Sequence, residues 1–209
     1  MPDVILASAS PRRRELLTRI GVAHVVAPAD VDESVQPGER PAAYVERLAR
    51  AKAAALAAKA PTRVIVAADT TVVLDDDILG KPTGPDDARA MLRRLVGRTH
   101  QVLTAVAVQR GAEVAAAVDV VDVRMRHVPE SVIADYVATG EPLDKAGAYG
   151  IQGYGGVLVE GITGDFFAVM GLGLATTVRL LDAVGVPWGF RSPSPPDPRP
   201  TPGPAGSFP

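Results

Sequence analysis

The 209-residue chain contains no cysteine. That absence excludes a disulfide scaffold and thiolate metal sites, and it fits a reducing compartment. Long apolar runs are missing as well. Nothing approaches the ~18 consecutive apolar residues of a membrane span, and the N-terminus lacks the cationic-then-apolar order of a secretion signal. A soluble cytoplasmic protein without a membrane partner is therefore expected. Excess charge of one sign is also lacking. The net charge is −2, which gives no global pull toward nucleic acid, so any basic site has to be local. A G-x-x-x-x-G-K-[ST] motif is absent, which excludes a P-loop, and no internal repeat is visible. What the chain does have is 47% hydrophobic residues, enough to bury a large core as one domain or two closely joined lobes.

The first organising stretch is Leu6-Ala7-Ser8-Ala9-Ser10-Pro11-Arg12-Arg13-Arg14. It follows a short strand-like run, Val4-Ile5-Leu6, and opens a helix carrying Leu16, Leu17 and Ile20. Ser10 stands at the N-cap, and Pro11 falls at the first helical position, where its missing N–H costs nothing. A helix N-terminus attracts anions. Three arginines in that first turn run against the dipole, which points to an outside anion shared by backbone and side chains.

Further on, His24–Ala27 reads as a short strand and 28–40 as a loop carrying Asp30, Asp32 and Glu33. Pro41 starts an alanine-rich helix that runs toward Pro61. At ~100° per residue, Val45, Leu48, Lys52 and Leu56 share one face, so Lys52 sits inside the apolar stripe. Its ammonium either snorkels to water or points into a polar cavity. Val64–Leu74 reads as a strand buried on both faces. It is interrupted at Asp69-Thr70-Thr71, where a carboxylate is costly unless it is paired or binds a cation. Asp75-Asp76-Asp77 reads as a solvated hairpin turn, and Gly80-Lys81-Pro82 ends the returning strand. A helix from Pro85 to Leu95 and two long strands around Arg110-Gly111-Ala112 follow, then a helix from Pro129 to Thr139. A turn-rich segment from Gly140 to Gly156 fits no regular pattern. Val157–Val159 and Phe166–Val169 are expected to pair as strands across Gly161–Gly164. A last amphipathic helix follows Gly171 and runs to about Val184. Gly171-Leu172-Gly173-Leu174-Ala175-Thr176 mimics a dinucleotide fingerprint after a strand, but Thr176 replaces the third glycine, so it reads as tight strand–helix packing. His24, His100 and His127 lie in strand-like settings without metal spacing and read as structural. From Pro187 on, nine of the nineteen prolines crowd into 23 residues, a composition expected of a disordered tail. The element order is mixed α/β, with a twisted sheet flanked by helices.

The residues that break local rules are Arg12, Arg13, Glu33, Lys52, Asp69, Lys81 and the glycine-rich segment around Gln152. Four of these are cationic and two are carboxylates. Phosphoryl chemistry on a nucleotide needs that mixture, with cations to neutralise phosphates and carboxylates to hold Mg²⁺ or orient a water.

The motifs Leu6-Ala7-Ser8-Ala9-Ser10-Pro11-Arg12-Arg13, Ala68-Asp69-Thr70, Gly80-Lys81-Pro82, Thr99-His100-Gln101-Val102 and Asp144–Gly153 together resemble the Maf family of nucleoside triphosphate pyrophosphatases. The resemblance covers roughly residues 3 to 184, in the family's order. It implies an elongated α/β fold like that of inosine triphosphatases, with a cleft between two lobes. It also implies divalent-metal-dependent (Mg²⁺ or Mn²⁺) cleavage between the α and β phosphates, giving a monophosphate and pyrophosphate. Under the resemblance, residues 1–186 form the pyrophosphatase domain and 187–209 a tail without a family counterpart. Asp69 matches the family's catalytic aspartate, the base that activates water. Arg12, Thr70 and Gln152 match positions that mark the branch acting on dTTP and UTP. One carboxamide can match the alternating donor and acceptors of thymine or uracil, whereas a sister branch preferring 7-methyl-GTP carries a carboxylate there. Ser8, Arg13, Lys52 and Lys81 fit further substrate-binding positions, and Glu33, with Asp69, a metal ligand. Gly173 departs from the family's G-L-P and is expected to loosen the last helix slightly. The leading expectation is a house-cleaning dTTP/UTP pyrophosphatase, with a nucleoside triphosphate as partner, no nucleic acid, and a homodimer left open. The alternative is a non-catalytic, nucleotide-binding regulator of cell division or septum formation.

Overall fold

The computed structural model describes residues 3–190. The tail expected at 187–209 lies outside the described residues from 191 onward. Among the described residues, seven strands form one mixed sheet: β1 (Val4–Leu6), β2 (His24–Val26), β3 (Val64–Leu74), β4 (Asp77–Leu79), β5 (Thr99–Arg110), β6 (Glu113–Met125) and β7 (Val159–Thr163). Their order is β2-β1-β3-β5-β6-β7, with β4 added to β3. β1 runs parallel to β2 and β3, and the remaining pairings are antiparallel. Around the sheet lie α1 (Pro11–Arg19), α2 (Pro41–Ala57), α3 (Pro85–Leu95), α4 (Glu130–Ala138), α5 (Phe166–Met170) and α6 (Leu174–Ala183). This is the mixed, helix-flanked sheet expected from the sequence. No helix among the described residues is long and apolar enough to cross a membrane.

β3 is the strand to follow. Its continuous Val-Ile-Val-Ala run suits a position buried on both faces. One edge pairs with β5 along almost its whole length. The other edge is shared: β1 takes Val64–Val66 and β4 takes Val72–Leu74. Among the described residues no strand pairs with 67–71 on that side. A gap in a central strand's edge is therefore built into the topology, with Asp69 and Thr70 in its middle.

Period-two alternation then divides the core. Ile65, Ala67 and Val73 pack beneath α2, against Val45, Ala49, Ala53 and Leu56. Val64, Val66 and Ala68 face the other way, onto Leu16 and Leu17 of α1 and Leu180 and Leu181 of α6. Val72 and Leu74 share that second face but belong to a separate cluster with Leu92 and Leu95 of α3 and Ile133 and Val137 of α4. The residue between the two clusters on β3 is Thr70, opposite Thr104 on β5. A pair of hydroxyls thus separates two apolar lobes. Each fully buried leucine in them contributes roughly 1.5–3 kcal/mol, so both lobes are well anchored on either side of the polar seam.

Local signals account for the elements that carry the site. Ser10 caps α1, accepting from the Arg13 amide at 3.4 Å, with Pro11 in the first turn. Asp75 and Asp76 adopt φ of 52° and 67° between paired Leu74 and Asp77. That is the two-residue hairpin geometry, as expected of a solvated turn. Arg98 pairs with Asp75, and Arg94 with the neighbouring Asp77.

Three expectations need correcting. Residues Phe166–Met170 form α5, a helix, and β7 pairs with β6 rather than with that segment. The Asp165 side chain accepts from the Phe167 amide at 2.8 Å and Gly171 closes the turn at φ 114°. These two end signals override the β propensity of Phe-Phe-Ala-Val. The glycine motif at 171–173 consequently follows a helix, not a strand. At Gly173 the structure adds a contact that the sequence did not suggest. A Cβ at that position would stand 2.2 Å from Asp119 Oδ2, and Asp119 accepts from the Thr176 hydroxyl at 2.7 Å in the first turn of α6. The space left by the missing side chain holds the Asp119 carboxyl, which burial and the neighbouring Asp165 charge push above its ordinary value. Of the histidines, His24 and His100 lie on strands, whereas His127 lies beyond the end of β6. His100 is buried against Tyr149, its Nε2 2.8 Å from the phenol oxygen, and burial lowers its pKa to about 4.

Candidate active site

A cleft of about 510 Å³ opens at the gap in the β3 edge, within the ~300–1,000 Å³ range of ligand pockets. Ser8, Arg12, Arg13, Glu33, Lys52, Asp69, Thr70, Lys81 and Gln152 all line it. The nine residues singled out in the sequence are therefore brought together, from segments as distant as α1 and the 150s loop. Arg14 is not among them. It is exposed and lies on the outer side of α1 with Glu15 and Thr18. Only two of the three consecutive arginines can share one side of a helix at ~100° per residue.

On the α2 side, the Lys52 ammonium lies 2.7 Å from Asp69 Oδ1 and 2.6 Å from Glu33 Oε1. Lys52 and Asp69 are each 8% exposed. The lysine therefore does not snorkel; it points into the polar cavity. Burial pushes the Asp69 carboxyl above its ordinary value, although the charges of Lys52 and Arg13 pull the other way. Glu33 shows the opposite balance. Its partial burial raises the pKa, but the Lys52 hydrogen bond and charge, with Lys81 and Arg13 behind them, bring it below the usual value. Glu33 reaches the cleft from the 28–40 loop, which is stapled to α2. Tyr44 donates to the Glu33 carbonyl at 2.9 Å, and Arg47 donates to the Ser34 carbonyl and grips Glu39 through two nitrogens.

On the opposite face, Arg13 Nε donates to the Gly171 carbonyl at 2.8 Å, Nη1 to Ser8 Oγ at 3.3 Å and Nη2 to Thr70 Oγ1 at 3.0 Å. Thr104 Oγ1 donates to the Ala168 carbonyl at 2.7 Å. Its single proton is thereby used, so it accepts from Thr70, 2.9 Å away. The relay has one direction: Arg13 to Thr70 to Thr104 to the α5 backbone. Gly171 is favoured beside it by its left-handed φ of +114°, although an added Cβ would only touch Arg13 Nε and Thr70 Oγ1, at 3.4 Å each. Burial draws the Arg13 guanidinium below its usual value, opposed by the nearby Asp69 charge.

The remaining cations are less committed. Arg12 Nη1 stands 3.4 Å from the largely exposed Asp144 carboxylate. Lys81 has no ion-pair partner among the described residues, and the exposed Gln152 carboxamide has no hydrogen-bond partner among them. Three cleft residues were missed as site residues in the sequence: Tyr44, Asp144 and Lys145. Asp144 and Lys145 stood at the head of a recognised motif. Tyr44 lies in the first turn of α2 and carried no signal of its own.

A gapped α/β sheet with one buried carboxylate, Asp69, and five cationic side chains around one cleft defines a protein shaped to receive a polyanion. The chain belongs to the Maf-like protein family, whose family model matches residues 3–184. It is 50% identical over 196 residues to the dTTP/UTP pyrophosphatase of Anaeromyxobacter dehalogenans (strain 2CP-1), covering 92% of this chain and 99% of that one. It is 51% identical to the protein of the same name from Moorella thermoacetica, over 90% of this chain and 99% of the relative. The corresponding protein of Symbiobacterium thermophilum is 48% identical, with 90% and 96% covered. Among solved structures, the Ham1 protein of Staphylococcus aureus overlays with a TM-score of 0.47 at 16% identity, spanning 87% of this chain and 96% of that one.

Proposed function

We propose that this protein hydrolyses dTTP and UTP between the α and β phosphates, releasing the nucleoside monophosphate and pyrophosphate. The relatives that match nearly end to end carry that activity in their names. The observation that carries the reading in this chain is Asp69: a buried carboxylate of raised pKa, facing a cleft whose other charged groups are mostly cations. A carboxyl of raised pKa is a better proton acceptor for water than an ordinary one. In this reading Asp69 takes the proton of the attacking water and Lys52 keeps the carboxylate charged. Arg12, Arg13 and Lys81 grip the phosphates, with Ser8 and Thr70 holding the Arg13 guanidinium flat against the cleft wall. The free Gln152 carboxamide faces the base, where one donor and one acceptor match a pyrimidine's edge.

Mg²⁺ commonly takes one or two protein carboxylates together with substrate phosphates. Glu33 and Asp69, drawn to a single ammonium, fit that donor set. Phosphate oxygens and waters would complete it. A divalent ion held there would neutralise charge on the transferred phosphoryl group. Residues 1–186 are on this reading one catalytic domain. The test is direct: purified protein is incubated with dTTP, UTP, CTP and GTP plus Mg²⁺, and pyrophosphate is measured. Release from dTTP and UTP ahead of the others is expected. No release from either, with folded protein, contradicts the proposal.

A further inference from the structure

The segment around Gln152 has little regular structure, yet it is not loose. Gly150, Gly153, Gly155 and Gly156 give it few side chains with which to hold itself. Its anchor is Glu141, in the short 3₁₀ turn Glu141–Asp144. Glu141 Oε2 accepts from the Tyr154 amide at 2.9 Å, and Oε1 accepts from the Gly155 amide at 3.0 Å and the Tyr136 hydroxyl at 2.9 Å. The Tyr136 oxygen, on α4 and buried, accepts in turn from the Gly150 amide at 3.0 Å. One carboxylate thus ties down, directly or through one phenol, three backbone amides that bracket Gln152. The glycines are what let it approach. A Cβ at Gly153 would sit 2.3 Å from Glu141 Oε2, and one at Gly155 would sit 2.6 Å from the Tyr136 hydroxyl. Those three donors, together with Lys145, hold the Glu141 carboxyl below its usual value against the raising effect of burial.

The same turn also faces the phosphate end of the cleft. Asp144, three residues on, pairs with Arg12, and Lys145 donates to the Glu141 carbonyl at 2.7 Å. Gln152 itself contributes nothing to this scaffold and has no partner among the described residues. We infer that Glu141, with Tyr136 as its relay, is the positioning residue for base recognition: it fixes the 150–155 backbone so that the Gln152 carboxamide is pre-aimed at the nucleotide base. Glu141 does not touch substrate. Its contribution is to remove the ordering cost that a glycine-rich loop would otherwise incur on binding. This inference rests on the proposed pyrimidine nucleotide activity.

Glu141→Gln and the milder Tyr136→Phe test it. A glutamine amide would turn an N–H toward one of the backbone donors, and phenylalanine strands the Gly150 amide. Hydrogen exchange at the Gly150, Tyr154 and Gly155 amides should accelerate about tenfold or more, while exchange in β3 and β5 stays as in the parent. KM for dTTP and UTP should rise about tenfold with kcat changed less than about twofold, since about 1.4 kcal/mol of binding corresponds to a factor of ten. Turnover of methyl triphosphate, which has the same phosphoanhydride and no base, should be unchanged. Equal losses on dTTP and methyl triphosphate, or altered exchange without a KM change, would overturn the positioning role. A parent protein inactive on dTTP and UTP would instead defeat the functional reading itself.

Discussion

Adjacent residues of β3 do different work because they face opposite sides of the sheet at a place where its edge is open. Asp69 turns toward α2 and meets full charges, Lys52 and through it Glu33. Thr70 turns toward α1 and α5 and joins a chain of hydroxyls that ends on a backbone carbonyl. The first arrangement is electrostatic and titrates. The second carries no titrating group except a guanidinium, and sets position. Were residues 67–71 covered by a neighbouring strand, these two sides could not line one cleft. The interrupted edge lets a carboxylate and a clamped arginine line the same cleft from opposite faces.

The most damaging change to the charged side is Asp69→Asn. A general base contributes about 10²–10⁴-fold, so kcat in a pyrophosphate-release assay should fall roughly a thousandfold while the fold persists. The same variant checks the sign of the pH dependence. Burial lifts the folded-state Asp69 pKa above 3.8, so its stabilising contribution is whole below that pH and is lost as the pH rises through the raised value. Denaturant titrations should show the parent losing more stability than Asp69→Asn as the pH rises from the ordinary carboxylate range through the raised value. A parent curve flatter than the variant's would show that the carboxylate is stabilised by folding instead.

Lys52→Met breaks the same cluster from the other end. An uncompensated buried carboxylate costs about 3–5 kcal/mol, measurable as a lowered denaturation midpoint. The acid limb of kcat/KM should also move to higher pH, because the charge that favours ionised Asp69 is gone.

The neutral side should break more gently. Thr104→Val keeps the shape but takes one of two donors from the Ala168 carbonyl, which keeps the Gly171 amide, and leaves the Thr70 proton without its acceptor, at about 1–3 kcal/mol. With Thr70 no longer fixed, Arg13 loosens. KM for nucleotide should rise severalfold with little change in the acid limb, and Thr104→Ser should restore both. A shift of the acid limb in Thr104→Val would mean that the two sides are not separable. The smallest effect belongs outside the cleft: Arg98→Ala removes an exposed pair with Asp75 and should cost less than about 1 kcal/mol in the same denaturation assay.

Much of the charged side was legible in the chain. Lys52 stood in an apolar helical stripe and Asp69 in a strand of β-branched residues. Each was costly alone and reasonable only with the other. The Ser10-Pro11 start of α1 was equally plain, because capping chemistry is local. The neutral side was harder to see. Thr104 interrupts the Val102–Val108 run much as Asp69 interrupts its own, but a hydroxyl costs too little to stand out, and its partner Thr70 is fixed only by the β3–β5 register. Phe166–Val169 was read as a strand because its two phenylalanines and valine follow β propensity, until a cap at Asp165 and a left-handed Gly171 decide otherwise. Glu141 gave no warning, since its carboxylate partners are the Tyr136 hydroxyl and backbone amides thirteen and fourteen residues downstream. The cluster of glycines around Gln152 was the trace it left.

The claim that both sides of β3 serve one reaction at the α-phosphorus is tested most directly by hydrolysing dTTP in ¹⁸O-labelled water and locating the label by ³¹P NMR. Attack by an Asp69-activated water at that atom places ¹⁸O in the thymidine monophosphate and leaves the pyrophosphate unlabelled. Label in pyrophosphate or in orthophosphate would contradict it.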